Sequence, residues 1–278
     1  MPATFVITLR EGFEAALLLG IVYAYLEKIG RREHYRHVTL GALLGGVASA
    51  LTGLAVATLS GPLLDLGPDV IGVGAMFLAV AVLTWHGWWM RRHASAVKGD
   101  VERQIDAAEA SRRLWLVGVI AFLGVFREGA ETVLFVWGLL VGASGTAGWP
   151  ALVGGAAGLA AAALLGWSVF RAGRRVSVRR FFAITSVVIL LLAAGLFSSG
   201  LGKLTGLGWL PDTPVAWDTS GLLPDTGAVG SFLGGLIGYR DRPRLLEVAG
   251  YAAYLLGAGV LVVGAARRPS AKARAVPA

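Results

Sequence analysis

Long apolar runs broken by short polar or basic connections recur along this chain, and their length sets the architecture. A bilayer-length window predicts seven helical spans, at about 3–26, 38–60, 69–90, 114–141, 149–170, 181–202 and 245–266. The first and fourth are counted as spans although each carries three charges. These are Arg10, Glu11 and Glu14 in LREGFEAALLLG, and Arg127, Glu128 and Glu131 in FREGAETVLFVWG. AVGSFLGGLIGY (228–239) is apolar but too short to cross, and reads as a re-entrant or interfacial segment packed on the bundle. Residues 91–113, with Glu102, Arg103, Asp106 and Glu109, read as a short solvated cytoplasmic helix. The fold class predicted is all-α and polytopic, a single transmembrane domain over residues 1–278.

Composition supports the membrane reading. Of 278 residues, 56% are hydrophobic and only 15% charged, too little polar surface to coat a water-soluble globule of this size. The 40 glycines lie largely inside apolar runs, where membrane helices use them for close backbone approach. Gly41–Gly45 and Gly154–Gly158 have the GxxxG spacing of such packing surfaces. A net charge of +8 invites a nucleic-acid reading, but its placement argues for basic cytoplasmic loops instead. EKIGRREHYRH (27–37) is basic, GPLLDLGPD (61–69) has no Lys or Arg, and 91–113 carries Arg91, Arg92, Lys98, Arg103, Arg112 and Arg113. The turn at 142–150 is uncharged, RAGRRVSVRR (171–180) is rich in Arg, and the tail has Arg267, Arg268, Lys272 and Arg274. This alternation predicts an N-terminus outside and a C-terminus in the cytoplasm. The outer connection 203–244 departs mildly from it, with Lys203, Arg240, Arg242 and Arg244. The start has no basic region ahead of its apolar run and reads as a retained first span, not a cleaved signal. Cys is absent, so disulfides, thiolate metal sites and iron–sulfur clusters are excluded.

Arg10-Glu11-Gly12-x-Glu14 recurs as Arg127-Glu128-Gly129-x-Glu131, an offset of 117 residues that also pairs Phe5 with Phe122 and Gly41 with Gly158. Repeat one (about 1–90) and repeat two (about 114–202) then hold three spans each. An odd number makes the two units enter the membrane from opposite sides, the inverted repeat of transporters with a site near the midplane. The outer loop 203–244 and a last span at about 245–266 are additions.

At 100° per residue, Arg10, Glu11 and Glu14 share an arc of about 100° on their helix, and the second motif repeats that face. A charge at mid-membrane costs roughly 2.5–3.5 kcal/mol on insertion scales, so six of them must face one another, water or an ion. An internal salt-bridge cluster is one reading, with each Arg reaching the Glu four residues on. Four carboxylates against two guanidiniums, however, leave a charge of about −2 that wants protons or a cation. The other reading is a hard-cation site of Glu11, Glu14, Glu128 and Glu131, with Arg10 and Arg127 positioning them. Oxygen donors suit Fe³⁺, Ca²⁺, Mg²⁺ or Mn²⁺, and this chemistry does not choose among them.

A doubled REGxE motif on the first and fourth of seven spans resembles the high-affinity iron permease family, the oxidase-dependent Fe³⁺ transporters of fungi and bacteria. The resemblance covers the whole topology. It implies that Glu11, Glu14, Glu128 and Glu131 carry ferric iron as substrate, with no resident cofactor. Its bacterial members act in the inner (cytoplasmic) membrane with a periplasmic iron-binding protein and a haem peroxidase. Fungal members pair with a multicopper oxidase and have an extracellular acidic motif that is not found here in the same form.

Further candidates lie outside the motifs. Asp212, Asp218 and Asp225 in PDTPVAWDTSGLLPDTG either collect a cation at the mouth or perform ordinary turn chemistry. Glu247, Tyr251 and Tyr254 share a helix face near the outer end of the last span, as pathway oxygens or interfacial anchors. His86, in TWHGWWMRR, is read as part of an aromatic belt. An alternative within transport is uptake of a divalent cation such as lead, by similar proteins that carry REGxE-type motifs. An intramembrane enzyme with paired carboxylates is disfavoured, since no HExxH, GxSxG or Cys nucleophile is present. A scaffold for a periplasmic partner leaves the intramembrane charges unexplained. No GxxxxGK[ST] loop is present, which removes the usual signature of ATP coupling.

Overall fold

The structure, a computed structural model, describes residues 2–66, 68–93, 97–142, 148–170 and 178–267. Side chains at 60–69, 91–98, 141–148, 170–179 and 262–267 are likewise outside the description. The basic residues expected at Arg91, Arg92, Lys98, Arg171, Arg174, Arg175, Arg267, Arg268, Lys272 and Arg274 therefore lie outside the described side chains.

The chain folds into helices α1 (Pro2–Lys28), α2 (Tyr35–Leu66), α3 (Pro68–His93), α4 (Val97–Ala110), α5 (Leu116–Gly142), α6 (Gly148–Phe170), α7 (Val178–Gly206), α8 (Ala228–Ile237) and α9 (Leu245–Arg267). Among the described residues there is no strand, only an isolated bridge between Val215 and Arg244. Each predicted span coincides within a few residues with one long helix: α1, α2, α3, α5, α6, α7 and α9. The backbone must satisfy its own hydrogen bonds in hydrocarbon, so apolar runs of this length have helix as their available form. Segments Arg32–Leu59, Val70–Met90, Trp149–Val169 and Arg180–Gly206 are long and apolar enough to cross a membrane. Helices α1 and α5 are equally long, at 27 residues each, but carry the charged motifs near mid-length.

Leu43, Leu51 and Leu54 on α2 and Leu152, Leu159 and Leu164 on α6 are exposed. A surface of that kind is unstable in water and natural against lipid. The chain is a multi-pass membrane protein.

The most extensive helix contacts pair α1 with α6 and α2 with α5. Exchanging the two units turns one of these pairs into the other. The same exchange maps the α3–α5 contact onto α7–α1, and leaves α1–α5 and α3–α7 in place. Small residues make the close pairs possible. A Cβ on Gly45 would lie 2.7 Å from the Phe122 carbonyl oxygen, and one on Gly158 would lie 2.5 Å from that of Phe5. Phe5 and Phe122 keep the 117-residue offset, so the contacts match Gly158 to Gly45 and not to Gly41 as the uniform offset implies. Between first and second helix of the unit the register has shifted by four residues, about one turn, which keeps the same face toward the partner.

One of the two peripheral elements differs from expectation. Helix α4 is not merely solvated: Val101 and Ile105 are buried in one cluster with Val22, Leu26, Val38, Val117 and Ala121, and Ala108, on the same face, is buried as well. Tyr25 donates to Asp106 at 2.5 Å and Arg31 pairs with Glu109 at 3.0 Å, so its polar face is also tied to the bundle. The short apolar segment forms α8, which stops at Gly238 with φ 73°. That glycine approaches Gly195 of α7 so closely that a Cβ on it would lie 2.3 Å from the Gly195 Cα. The loop before α9 is held by pairing of its two limbs, with Ala216 N donating to Pro243 O and Leu245 N to Pro214 O.

Candidate metal site

Arg10, Glu11 and Glu14 emerge from one face of α1, and Arg127, Glu128 and Glu131 from one face of α5, and the α1–α5 contact brings the faces together. Arg10 is 2% exposed and uses its fork on two carboxylates, Nη1 to Glu11 Oε1 at 2.9 Å and Nη2 to Glu14 Oε1 at 3.1 Å. Arg127 repeats the pattern more loosely, Nη2 to Glu128 Oε1 at 3.1 Å and Nε to Glu131 Oε1 at 3.5 Å. Its side chain is 48% exposed and its guanidinium sits 5.0 Å from the centroid of the Trp89 ring. The two motifs are alike in sequence and unlike in burial.

His86 of α3 is the residue that sequence reading placed elsewhere. It is 2% exposed and packed into the cluster, not displayed in an aromatic belt. Its neighbour Trp85 is exposed on the outer face of α3. One nitrogen of His86, Nδ1, pairs with Glu131 Oε2. The other, Nε2, lies 3.9 Å from Glu11 Oε2 and 3.9 Å from Glu14 Oε2. The available signal was that an ionisable side chain inside a span is functional by default.

Among the described residues, two metal-sized groups result, and they share Glu11. Glu11, Glu14 and His86 form one, and Glu11, Glu128 and Glu131 the other, each offering donor atoms within 4.8 Å of one another. Glu11 Oε2, Glu14 Oε2, Glu128 Oε2 and His86 Nε2 are buried without a hydrogen-bond partner. Buried polar atoms are ordinarily paired, so converging orphan acceptors of this kind mark a place for protons or a cation. A cavity of about 810 Å³ between α1, α2, α5 and α6 is lined in part by Glu11 and Glu128. Its wall is mainly apolar, with Thr8, Ser49, Thr132 and Trp137 as further polar residues, and it includes Ala57 and Leu140 from the second halves of α2 and α5.

The remaining candidates fall apart into separate roles. Asp212 pairs with Arg244, and Asp218 pairs with Arg242 at 2.9 Å while accepting from Ser220 N at 3.0 Å. Those hydrogen bonds, that from Arg242 foremost, hold the Asp218 carboxyl below the usual carboxylate range. The Asp225 main-chain N–H donates to Asp241 Oδ2 at 3.2 Å. Glu247 is buried as a capping residue of α9, its Oε2 accepting from Arg244 N at 3.0 Å and its Oε1 3.4 Å from Arg240 Nη1. Tyr251 donates to the Ile237 carbonyl at 2.8 Å, and Tyr254 bonds Thr84 at 2.6 Å. None of these residues belongs to the metal-sized groups among the described residues.

A multi-pass helical membrane protein with charged motifs meeting inside the bundle is the class defined so far. The chain belongs to the iron permease FTR1 family, whose model matches residues 1–269. It is 32% identical over 279 residues to "Ferrous iron permease EfeU" of Escherichia coli O6:K15:H31, covering 99% of this chain and 100% of that protein. The protein of the same name in Shigella sonnei is 32% identical over 93% of this chain and 94% of its own. That of Yersinia pestis is 31% identical over 94% of this chain and 93% of its own. No solved structure matches.

Proposed function

We propose that this protein imports iron through a midplane site of Glu11, Glu14, Glu128 and Glu131, with Arg10 and Arg127 holding the carboxylates. The observation that carries the proposal is the meeting of both motifs, with unpartnered carboxylate oxygens, against the large cavity that Glu11 and Glu128 line. The architecture that goes with it is seven spans, with α1–α3 and α5–α7 as inverted repeats and α9 added. The exchange symmetry of the helix contacts supports it. With the N-terminus outside, the cavity lies on the outer side, between the ends of α2 and α5 and the start of α6. Iron then passes from the Glu11–Glu128–Glu131 group toward Glu14. Inward movement down a membrane potential gains about 2.3 kcal/mol per charge per 100 mV, which makes nucleotide hydrolysis unnecessary.

Ferric iron is the cargo that the resemblance to oxidase-dependent iron permeases implies and that the carboxylate set suits, delivered by a periplasmic iron-binding protein with a haem peroxidase or another oxidase. Ferrous iron is a second reading, supported by the name that the similar proteins carry and by the surplus charge of about −2, which one divalent ion neutralises. Purified protein in vesicles with an inside-negative potential is expected to take up ⁵⁵Fe, offered as ferric citrate or, with ascorbate, as Fe²⁺. The state that enters faster identifies the cargo. No uptake of either, or faster uptake of Pb²⁺ than of both, overturns the iron reading.

Orientation has its own test. A reporter fused after Ala278 is expected to be active only if it is of the cytoplasmic type. Activity of a periplasmic reporter at that fusion overturns the seven-span arrangement.

A further inference from the structure

We propose that His86 is itself a ligand of the transported iron, its Nε2 completing a three-donor group with Glu11 and Glu14 while Glu131 holds the ring; this rests on the iron reading above. His86 comes from α3, outside both motifs, yet it touches both: Glu11 and Glu14 of the first and Glu131 of the second. The ring is 2% exposed and packs edge-on against Phe135, with centroids 6.1 Å apart and planes at 77°. Phe135 is fully buried, so this contact fixes the tilt of the imidazole.

The two ring nitrogens then have different tasks. In the neutral imidazole that binds a metal, a carboxylate against Nδ1 favours the proton there and leaves the lone pair on Nε2. That lone pair has no hydrogen-bond partner. Its nearest charged neighbours, Glu11 Oε2 and Glu14 Oε2, are each 3.9 Å away and are equally without partners. Such a separation is too long for a hydrogen bond. It suits donors around one ion, which lie about 3–4 Å apart when each bond is about 2.1 Å. A metal-binding histidine commonly donates its second N–H to a carboxylate, which orients the ring and raises its donor strength; Glu131 stands in that place. One neutral nitrogen among carboxylates also discriminates. Imidazole suits iron, whereas Ca²⁺ and Mg²⁺ prefer oxygen alone, so His86 sets selectivity against the abundant hard divalent ions.

The full-length protein in lipid nanodiscs, loaded with ferric citrate or anaerobically with Fe²⁺, is examined by X-ray absorption at the iron edge. The bound state is expected to show the outer-shell scattering of one imidazole. His86→Gln is expected to keep iron in an oxygen-only shell, with affinity down at least about tenfold and with Mg²⁺ and Ca²⁺ competing more strongly. The double variant His34→Gln/His37→Gln, outside the cluster, is expected to retain the imidazole signal. An oxygen-only shell in the unmodified protein overturns the inference and leaves the glutamate site standing, with His86 a counter-ion. A signal that survives in His86→Gln, or vanishes in the double variant, also overturns it. An unmodified protein that binds iron in neither state overturns both this inference and the function it rests on.

Discussion

Glu11→Gln is expected to abolish iron uptake, by more than about 100-fold, while the protein inserts and remains folded. Glu11 is the one residue shared by both metal-sized groups, so its loss removes a charged ligand from each. Removing an outer-shell partner of a metal typically costs 10–100-fold, and a directly bound, shared carboxylate exceeds that. The amide keeps the shape of the carboxylate and still accepts a hydrogen bond from Arg10 Nη1, which lies 2.9 Å from Glu11 Oε1. It also lowers the surplus charge of the cluster from about −2 to about −1, which relieves repulsion among buried carboxylates. Thermal stability without iron is therefore expected to hold or rise. Glu128→Gln is expected to abolish uptake as well, since Glu128 lines the cavity together with Glu11 and shares a metal-sized group with it. Melting temperature, ions bound per protein and initial uptake rate at matched expression provide the comparison. Uptake at the unmodified rate in Glu11→Gln returns the cluster to a structural salt bridge. So does loss of folding with Glu11→Gln, because a structural pair needs its charge.

The helices themselves are legible in the sequence, because hydrocarbon leaves the backbone so little choice. A window of apolar length finds all seven long helices, and the charged motifs mark their own faces. The face that each span turns inward is harder to read. Lipid is as apolar as the bundle interior, so Trp85 and His86 sit side by side in the same aromatic run although one faces out and the other faces the site. Helix α4 hides its docking for the opposite reason. Its charges suggest a solvated helix, while a few apolar positions, Val101 and Ile105 with the buried Ala108, face the bundle. The shift of Gly158 from Gly41 to Gly45 is invisible to a uniform offset, since a whole turn leaves the helix face unchanged. Glu247 looks like a pathway carboxylate because it opens an apolar helix. The partner that makes it a cap, the main-chain N–H of Arg244, belongs to the backbone and leaves no mark in the sequence.

Repetition of the motif predicts that Arg10 and Arg127 respond alike to substitution, and their burial argues that they do not. Arg10→Ala is expected to prevent stable insertion. It strands Glu11 and Glu14 in a site where Arg10 is their only guanidinium partner among the described residues, at 2.9 and 3.1 Å. Breaking a buried pair from one side costs about 3–5 kcal/mol, comparable to much of a domain's stability. Arg127→Ala removes a side chain that is 48% exposed and pairs more loosely with Glu128 and Glu131, so less buried pairing is lost. The protein is expected to fold, with uptake reduced about tenfold because the carboxylates are less firmly held. The Lys variants sharpen the contrast. Lysine keeps the charge but not the planar fork, and Arg10 uses two different nitrogens on two carboxylates. Arg10→Lys is therefore expected to fold and bind iron yet transport slowly, whereas Arg127→Lys stays close to the unmodified rate. Size-exclusion profiles and melting curves report folding, and ions bound per protein and initial rates report the site. Equal loss of stability in Arg10→Ala and Arg127→Ala would show that the motifs are equivalent and that the difference in burial has no energetic weight. Normal transport by Arg10→Ala would remove the arginines from the positioning role altogether.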